Sequence, residues 1–123
     1  MSRNLELLWE THDFVISQMP DLEEEYHKLL TLVRVDIESR NNRGLDSRLK
    51  KRFMLHVKKL GALYNKQICV IREIIELHDD PDLEIPPERE VEKSTLQSLL
   101  NTTFSLKEIL DLSTEGIENM LDI

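Results

Sequence analysis

The chain has 123 residues, a length that suits one domain, and its 40% hydrophobic and 33% charged residues exclude full disorder and favour amphipathic helices. Its net charge is −8, and its single cysteine excludes a disulfide framework within the chain. No run approaches the ~18 apolar residues that a membrane span requires. We therefore expect a soluble, intracellular protein, nuclear or cytoplasmic, that has no membrane partner.

The charge is segregated into three blocks along the chain. Residues 1–39 carry 9 acidic and 3 basic side chains, a net charge of −6. Residues 40–72 carry 10 basic and 1 acidic side chain, a net charge of +9, and residues 73–123 carry 14 acidic and 3 basic side chains, a net charge of −11. Segregation of this kind indicates a charged surface that meets a partner of opposite sign.

Two helices are predicted before the basic block. Apolar residues recur at steps of 3, 4 and 1 from Leu5 to Met19, and Pro20 is expected to end this first helix. A second helix is predicted from Asp21, with Glu24 three residues later in the spacing of a capping box. It should stop in the Asn-Asn-Arg-Gly joint, where Gly44 suits a left-handed residue after the helix.

A long third helix is predicted over residues 46–78. Its apolar positions follow steps of 3 and 4 and form one stripe, which should face the core. The assembly and core positions are Leu49, Phe53, Val57, Leu60, Tyr64 and Ile71. Basic residues lie on the opposite side of the same helix at i, i+4, i+11 and i+18. This predicted basic ridge consists of Arg48, Arg52, Lys59 and Lys66.

Residues 79–86 are acidic and rich in proline and are predicted to form a linker. Residues 87–123 are predicted to form an acidic helical arm, with one helix from Pro87 or Glu88 to about Asn101 and a second from Ser105. The apolar residues of this arm are expected to dock on the bundle or on a partner. They are Leu96, Leu99, Leu100, Leu106, Ile109 and Leu110.

Together these elements predict an all-α fold. It is an antiparallel helical bundle or coiled-coil-like hairpin with a long central helix and a C-terminal helical arm. A three-helix unit over residues 1–78 is expected to precede the linker and the arm.

The residues that carry chemistry do not form a recognisable catalytic or metal-binding pattern. Glu24 and His27 make one Glu-x-x-His pair, whereas a di-iron bundle needs two such pairs and two further glutamates. The glycines are isolated, so no phosphate loop is present, and Cys69 has no histidine at helical spacing. We therefore predict no cofactor, no metal and no enzymatic activity.

The function predicted is a non-enzymatic interaction subunit or adaptor of an intracellular multiprotein complex, binding other helical chains, including a second copy, through helical surfaces. The basic ridge is expected to meet an acidic protein surface or this chain's own acidic arm, with Lys50 and Arg72 contributing less. A nucleic-acid-associated protein that uses the ridge of helix 46–78 is the main alternative. A third possible function is that of a bundle that binds a metal or a small ligand. The ridge can also be an ordinary solvated face of the helix with no binding function.

Overall fold

The fold consists of three long α-helices in a computed structural model that describes residues 5–80, 82 and 93–122. The helices are α1 (Leu5–Ser39), α2 (Ser47–His78) and α3 (Lys93–Glu118). An isolated bridge between Leu45 and Asp122 is the only strand-like pairing among these residues. The prediction of an all-α helical bundle is confirmed.

The long central helix α2 agrees closely with the helix predicted over 46–78. Asp46 caps its first turn, since the Asp46 side chain accepts a hydrogen bond from the backbone N–H of Arg48 at 3.3 Å. At the other end, the N–H of Asp79 donates to the carbonyls of Ile75 and Glu76, each at 3.2 Å. Both ends of α2 are therefore defined by groups that satisfy free backbone polar atoms.

The first helix does not end at Pro20, so the predicted break there is wrong. α1 runs without interruption from Leu5 to Ser39 and contains both Pro20 and the expected capping-box residues. Proline removes one backbone donor, but Pro20 is exposed, so the carbonyl left without that donor lies near water. The predicted three-helix unit over 1–78 is therefore a hairpin of two helices, and α3 completes the bundle.

The connection between α1 and α2 depends on asparagine and aspartate side chains. Asn41 (φ 54°) and Asn42 (φ 61°) adopt the left-handed conformation that we predicted for Gly44. One carboxylate oxygen of Asp36 accepts hydrogen bonds from the Asp46 N–H at 2.8 Å and from Arg40 Nε at 3.0 Å. These bonds hold the start of α2 against the end of α1.

The C-terminal arm forms one helix over the described residues, so the predicted break at Thr102 and Thr103 is also wrong. Their hydroxyls donate to the carbonyls of Ser98 (2.9 Å) and Leu99 (2.8 Å) one turn earlier. Hydroxyls bonded in this way find their partner within the helix, so the helix continues through them at only a small cost in stability. The linker predicted at 79–86 and the helix start predicted at Pro87 or Glu88 lie mostly or wholly outside the described residues.

Both outer helices run in the opposite direction to α2. Successive contacts between α1 and α2 join His12 to Gln67, Leu22 to His56, and Tyr26 to Phe53. Successive contacts between α2 and the C-terminal segment join Asp79 to Lys93, Arg72 to Phe104, and Lys50 to Asp122. In each set the numbers rise along one helix while they fall along the other, so neighbouring helices are antiparallel.

The core lies along the apolar stripe of α2 and receives side chains from both sides. Its largest cluster contains residues from all three helices, among them Leu29, Val33, Phe53, Leu60, Leu110 and Ile117. Two smaller clusters continue toward the C-terminal end of α2. They contain Leu5, Trp9, Val70, Ile74 and Leu96 in one case and Ile68, Ile71 and Leu100 in the other. α1 and α3 are held together mainly through α2.

Replacing Leu60 by alanine tests whether this stripe carries the fold. Leu60 is 1% exposed, whereas Leu55 on the same helix is 57% exposed. We expect Leu60→Ala to lower the free energy of unfolding by about 2–5 kcal/mol, because it leaves a cavity in the core. The matched Leu55→Ala change should cost less than about 0.5 kcal/mol. Urea denaturation of both variants measures the difference, and equal losses would contradict this packing.

The Asp36 carboxylate should make the stability of the fold depend on pH in the acid range. The hydrogen bond from the Asp46 N–H, followed by that from Arg40, holds the pKa of Asp36 below its usual value. The resulting stabilisation is present above the ordinary aspartate pKa of about 3.9 and is lost as pH falls through the lowered value. Asp36→Asn should therefore be less stable at pH 7 and lose less stability on acidification than the unchanged protein. The control is Glu38→Gln, which removes the same charge at an exposed position in the same turn and should cost less stability at pH 7 than Asp36→Asn does. Thermal unfolding at several pH values compares the variants with the unchanged protein.

Candidate protein interaction surface

The predicted basic ridge lies on the outer surface of α2. Arg48, Arg52, Lys59 and Lys66 are all exposed. Arg52 forms an ion pair with Glu25 of α1, with 3.3 Å between Nη2 and Oε1. Among the described residues, the side chains of Arg48, Lys59 and Lys66 form no ion pair. Three of the four ridge cations are therefore free to meet an external anion.

An open groove runs beside the ridge, between α1 and α2. It encloses about 430 Å³ and is lined by Glu25 and Leu29 from α1 and by Arg48, Leu55 and Lys59 from α2, among others. On the same side of α2, the imidazole Nε2 of His56 donates to the carbonyl of Leu22 at 2.7 Å and ties the two helices together. The groove is rimmed by cations and has an apolar floor.

The predicted core positions of α2 lie inside the molecule. Phe53, Val57, Leu60, Tyr64 and Ile71 are buried, while Leu49 is half-buried. The two aromatic rings of this set therefore face the interior and not the basic ridge. Any base-stacking role for them on the ridge side is excluded by this placement.

The apolar residues predicted for partner binding by the arm lie mostly within the chain's own core. Leu96 and Leu110 are buried against α1 and α2, and Leu100 is buried against α2. Leu99 and Leu106 are half-buried, and Ile109 is 60% exposed. The arm thus docks on its own bundle, and within this set Ile109 offers the largest accessible apolar surface.

The basic residues that contact the C-terminal segment differ from those expected. Lys50 Nζ donates to the Met120 carbonyl at 2.7 Å and pairs with Asp122 at 2.8 Å, and the Arg72 guanidinium lies 4.9 Å from the centre of the Phe104 ring. Within one chain, the described part of the C-terminal segment therefore contacts Lys50 and Arg72, which were expected to contribute less, and not the ridge; contact of the ridge with a partner or with a second chain stays a prediction. The cations that contact α3 and the residues after it lie on the flank of α2 that faces α3.

Buried polar groups join α1 to α2 near the middle of the bundle. Gln67 is fully buried, and its side-chain amide hydrogen-bonds to Nδ1 of His12, which lies 2.9 Å from Nε2 and 3.1 Å from Oε1 of the amide. The Tyr64 hydroxyl donates to Glu23 at 2.9 Å, and burial together with this carboxylate raises the pKa of Tyr64 well above its usual range. Each group has a structural partner in the neighbouring helix, which accounts for its placement without a catalytic role.

Residues that carry metal or nucleophilic chemistry are dispersed over the surface. Glu24 pairs with Lys28 at 3.4 Å, His27 stacks edgewise on Tyr26, and Cys69 is exposed. Within 5–80, 82 and 93–122, no three His, Cys, Asp or Glu side chains come together as metal ligands. None of the three described helices has an apolar stretch long enough to cross a membrane.

The ridge predicted from the sequence omits two basic residues of the outer surface, Lys51 and Lys58. Lys51 and Lys58 are exposed, and neither forms an ion pair with another described residue. They lie seven residues apart, as do Lys59 and Lys66 on the ridge. A search of α2 for a period of seven, in addition to the 3.6-residue helical period, could have identified them.

No protein-family model matches the chain, and no curated protein and no solved structure shows a significant match to it. The arrangement itself therefore carries the functional argument: a cationic helix face that the rest of the bundle leaves exposed.

Charge reversal of neighbouring lysines tests how the C-terminal segment is held. The Lys50 side chain is 16% exposed and contacts Met120 and Asp122, whereas Lys51 is exposed and forms no ion pair with another described residue. We expect Lys50→Glu to accelerate exchange of the Leu45 amide, which donates to the Leu121 carbonyl at 2.9 Å, by about tenfold or more. Lys51→Glu should leave that amide protected. Hydrogen exchange followed by NMR makes the comparison, and equal protection in both variants would refute the docking contact.

Proposed function

We propose that this protein is a non-enzymatic interaction subunit or adaptor of an intracellular multiprotein complex, and that it binds an acidic protein surface through the exposed basic face of α2. One observation carries the proposal: Arg48, Lys59 and Lys66 are exposed on one side of a rigid helix and form no ion pair with the described residues. Helices position such charges more accurately than loops do.

The setting of the ridge supports a protein partner. α2 contains no acidic residue from Ser47 to Arg72, so its outer face presents cations without intervening carboxylates. A surface of one sign speeds encounter with an oppositely charged partner and determines which partners are rejected. The apolar floor of the adjacent groove adds area that a partner side chain can bury.

The nucleic-acid alternative receives less support from the site. Surfaces that bind single strands combine cations with aromatic side chains on which bases stack. Phe53 and Tyr64 of α2 are 0% and 3% exposed, so neither is available beside the ridge. The whole chain also carries a net charge of −8, which repels a polyanion outside the ridge itself.

A matched pair of triple charge reversals tests the proposal. Arg48→Glu, Lys59→Glu and Lys66→Glu together should abolish capture of specific partners from a native cell extract. The control variant carries Lys28→Glu, Arg34→Glu and Arg43→Glu, three exposed positions elsewhere, and its net charge changes by the same amount. Quantitative mass spectrometry compares the captured proteins, and the affinity of each is then measured by calorimetry at two salt concentrations.

Three results decide between the functions. Partners lost from the ridge variant and retained by the control support the proposal. Equal capture by both variants contradicts it and leaves the ridge as a solvated face. Binding of DNA or RNA that falls steeply with salt and requires the same three cations would favour the alternative.

A further inference from the structure

The outer face of α2 is organised in three parallel rows with a period of seven residues. The middle row follows Arg48 with small or apolar side chains, and a basic row lies on each side of it. The middle row contains Leu55, Ala62 and Cys69; one flank contains Arg52, Lys59 and Lys66; the other contains Lys51 and Lys58, followed by the uncharged Asn65. All of these residues are exposed.

A seven-residue period matches a helical partner better than a strand or a loop. Two turns of helix carry about seven residues and rise about 10.5 Å. A second helix that lies along α2 therefore meets an equivalent set of three positions at every second turn. No other regular element repeats its contacts at this interval along a helix.

The shape of the surface also fits a helix. Leu55 and Lys51 line both the groove between α1 and α2, of about 430 Å³, and the groove between α2 and α3, of about 610 Å³. Leu55, which is 57% exposed, thus stands between two depressions and offers an apolar contact. The small side chain of Ala62 lies two turns further along and allows close approach of a second backbone.

The charges of the flanking rows specify the sign of the partner. Lys51 and Lys58 on one flank, and Lys59 and Lys66 on the other, form no ion pair with another described residue. Flanking positions beside a helix–helix seam commonly form pairs of opposite charge that choose the partner. A helix that carries carboxylates on both sides of its own apolar row can satisfy all four lysines.

We propose that this face of α2 docks an acidic amphipathic helix of another protein, with apolar or small residues every seven positions and glutamate or aspartate on both flanks. The inference rests on the proposed function, because it names the kind of partner that the basic face takes. The span from Arg48 to Cys69 is about 32 Å long, so the docked helix needs about 21 residues or more to cover it.

A synthetic peptide of about 21 residues is the probe, with Leu, Ala and Leu at seven-residue spacing and Glu at each flanking position. The full chain is titrated with this peptide, with a scrambled peptide of the same composition, and with one in which Lys replaces Glu. Fluorescence anisotropy gives the affinity. The alkylation rate of Cys69, the only cysteine of the chain, gives a second readout, because a docked helix covers its thiol.

Two substitutions locate the binding face. We expect Leu55→Glu and Ala62→Glu each to weaken peptide binding by about tenfold or more, since each places a like charge against the acidic helix. The control is Leu112→Glu on the exposed surface of α3, where the side chain is 63% exposed, and it should bind as the unchanged protein does. Circular dichroism verifies that all three variants remain folded.

The inference is overturned by any of four results. The first three are a scrambled peptide that binds as tightly as the designed one, an alkylation rate of Cys69 that the peptide does not lower, and a Leu112→Glu variant that binds as weakly as Leu55→Glu. The fourth is self-association of the chain that Leu55→Glu abolishes, which would make a second copy the occupant. The outcome is separable from that of the proposed function. If partners are captured through the ridge but the helical peptide does not bind, the proposed function stands and the partner surface is acidic but not an amphipathic helix.

Discussion

The structure depends on the burial of one face of α2 by two other helices. Phe53, Ile71 and Ile74 are fully buried along this face, and Leu60 is 1% exposed. Each fully buried apolar side chain of this size contributes about 1.5–3 kcal/mol. Since α1 and α3 meet mainly through α2, any loss of this stripe separates all three elements. The same constraint determines the surface, because two covering helices leave the third side of α2 in contact with water.

The sequence identified α2 well because independent signals agreed there. The apolar steps of 3 and 4, the cap at Asp46 and the length all indicate the same helix. The predicted breaks at Pro20 and at Thr102 and Thr103 failed for a different reason. A proline inside a helix costs ~3 kcal/mol, an amount that burial of two or three neighbouring apolar residues can offset. Such packing between distant segments is not visible in a local pattern.

The α1–α2 connection shows the same limit on a smaller scale. Its position was predicted from Asn41, Asn42 and Gly44, since all three tolerate left-handed or turn conformations. Which of them adopts the positive φ depends on how Asp36 and Arg40 close the turn onto the start of α2. That closure is a contact between two helices, so the residue types alone do not select among the three candidates.

The exposure of the basic ridge was predicted correctly, whereas the expected contact of the ridge with the arm is not found among the described residues. Helical spacing places cations on a cylinder without stating where the neighbouring helices lie. Lys50 and Arg72 lie on the flank of α2 that faces α3. They, and not the ridge residues, therefore contact the C-terminal segment. The burial of Gln67 was not predicted. It depends on a hydrogen bond to His12, and the sequence pattern of α2 does not show that α1 places His12 beside it.

The spacing of the cations on α2 explains how a face of one sign persists in a folded protein. Lysines seven residues apart along one row are about 10.5 Å apart in backbone position, beyond the ~8 Å screening length at physiological ionic strength. Repulsion within a row is therefore weak, whereas cations of adjacent rows, such as Arg48 and Arg52 at i and i+4, lie closer together and repel more strongly. A carboxylate that approaches Lys58 or Lys59 to within hydrogen-bond distance is screened far less, particularly where Leu55 and Ala62 become covered and water is excluded. The seven-residue period thus separates the charges within each row while leaving each one available for a contact with a partner.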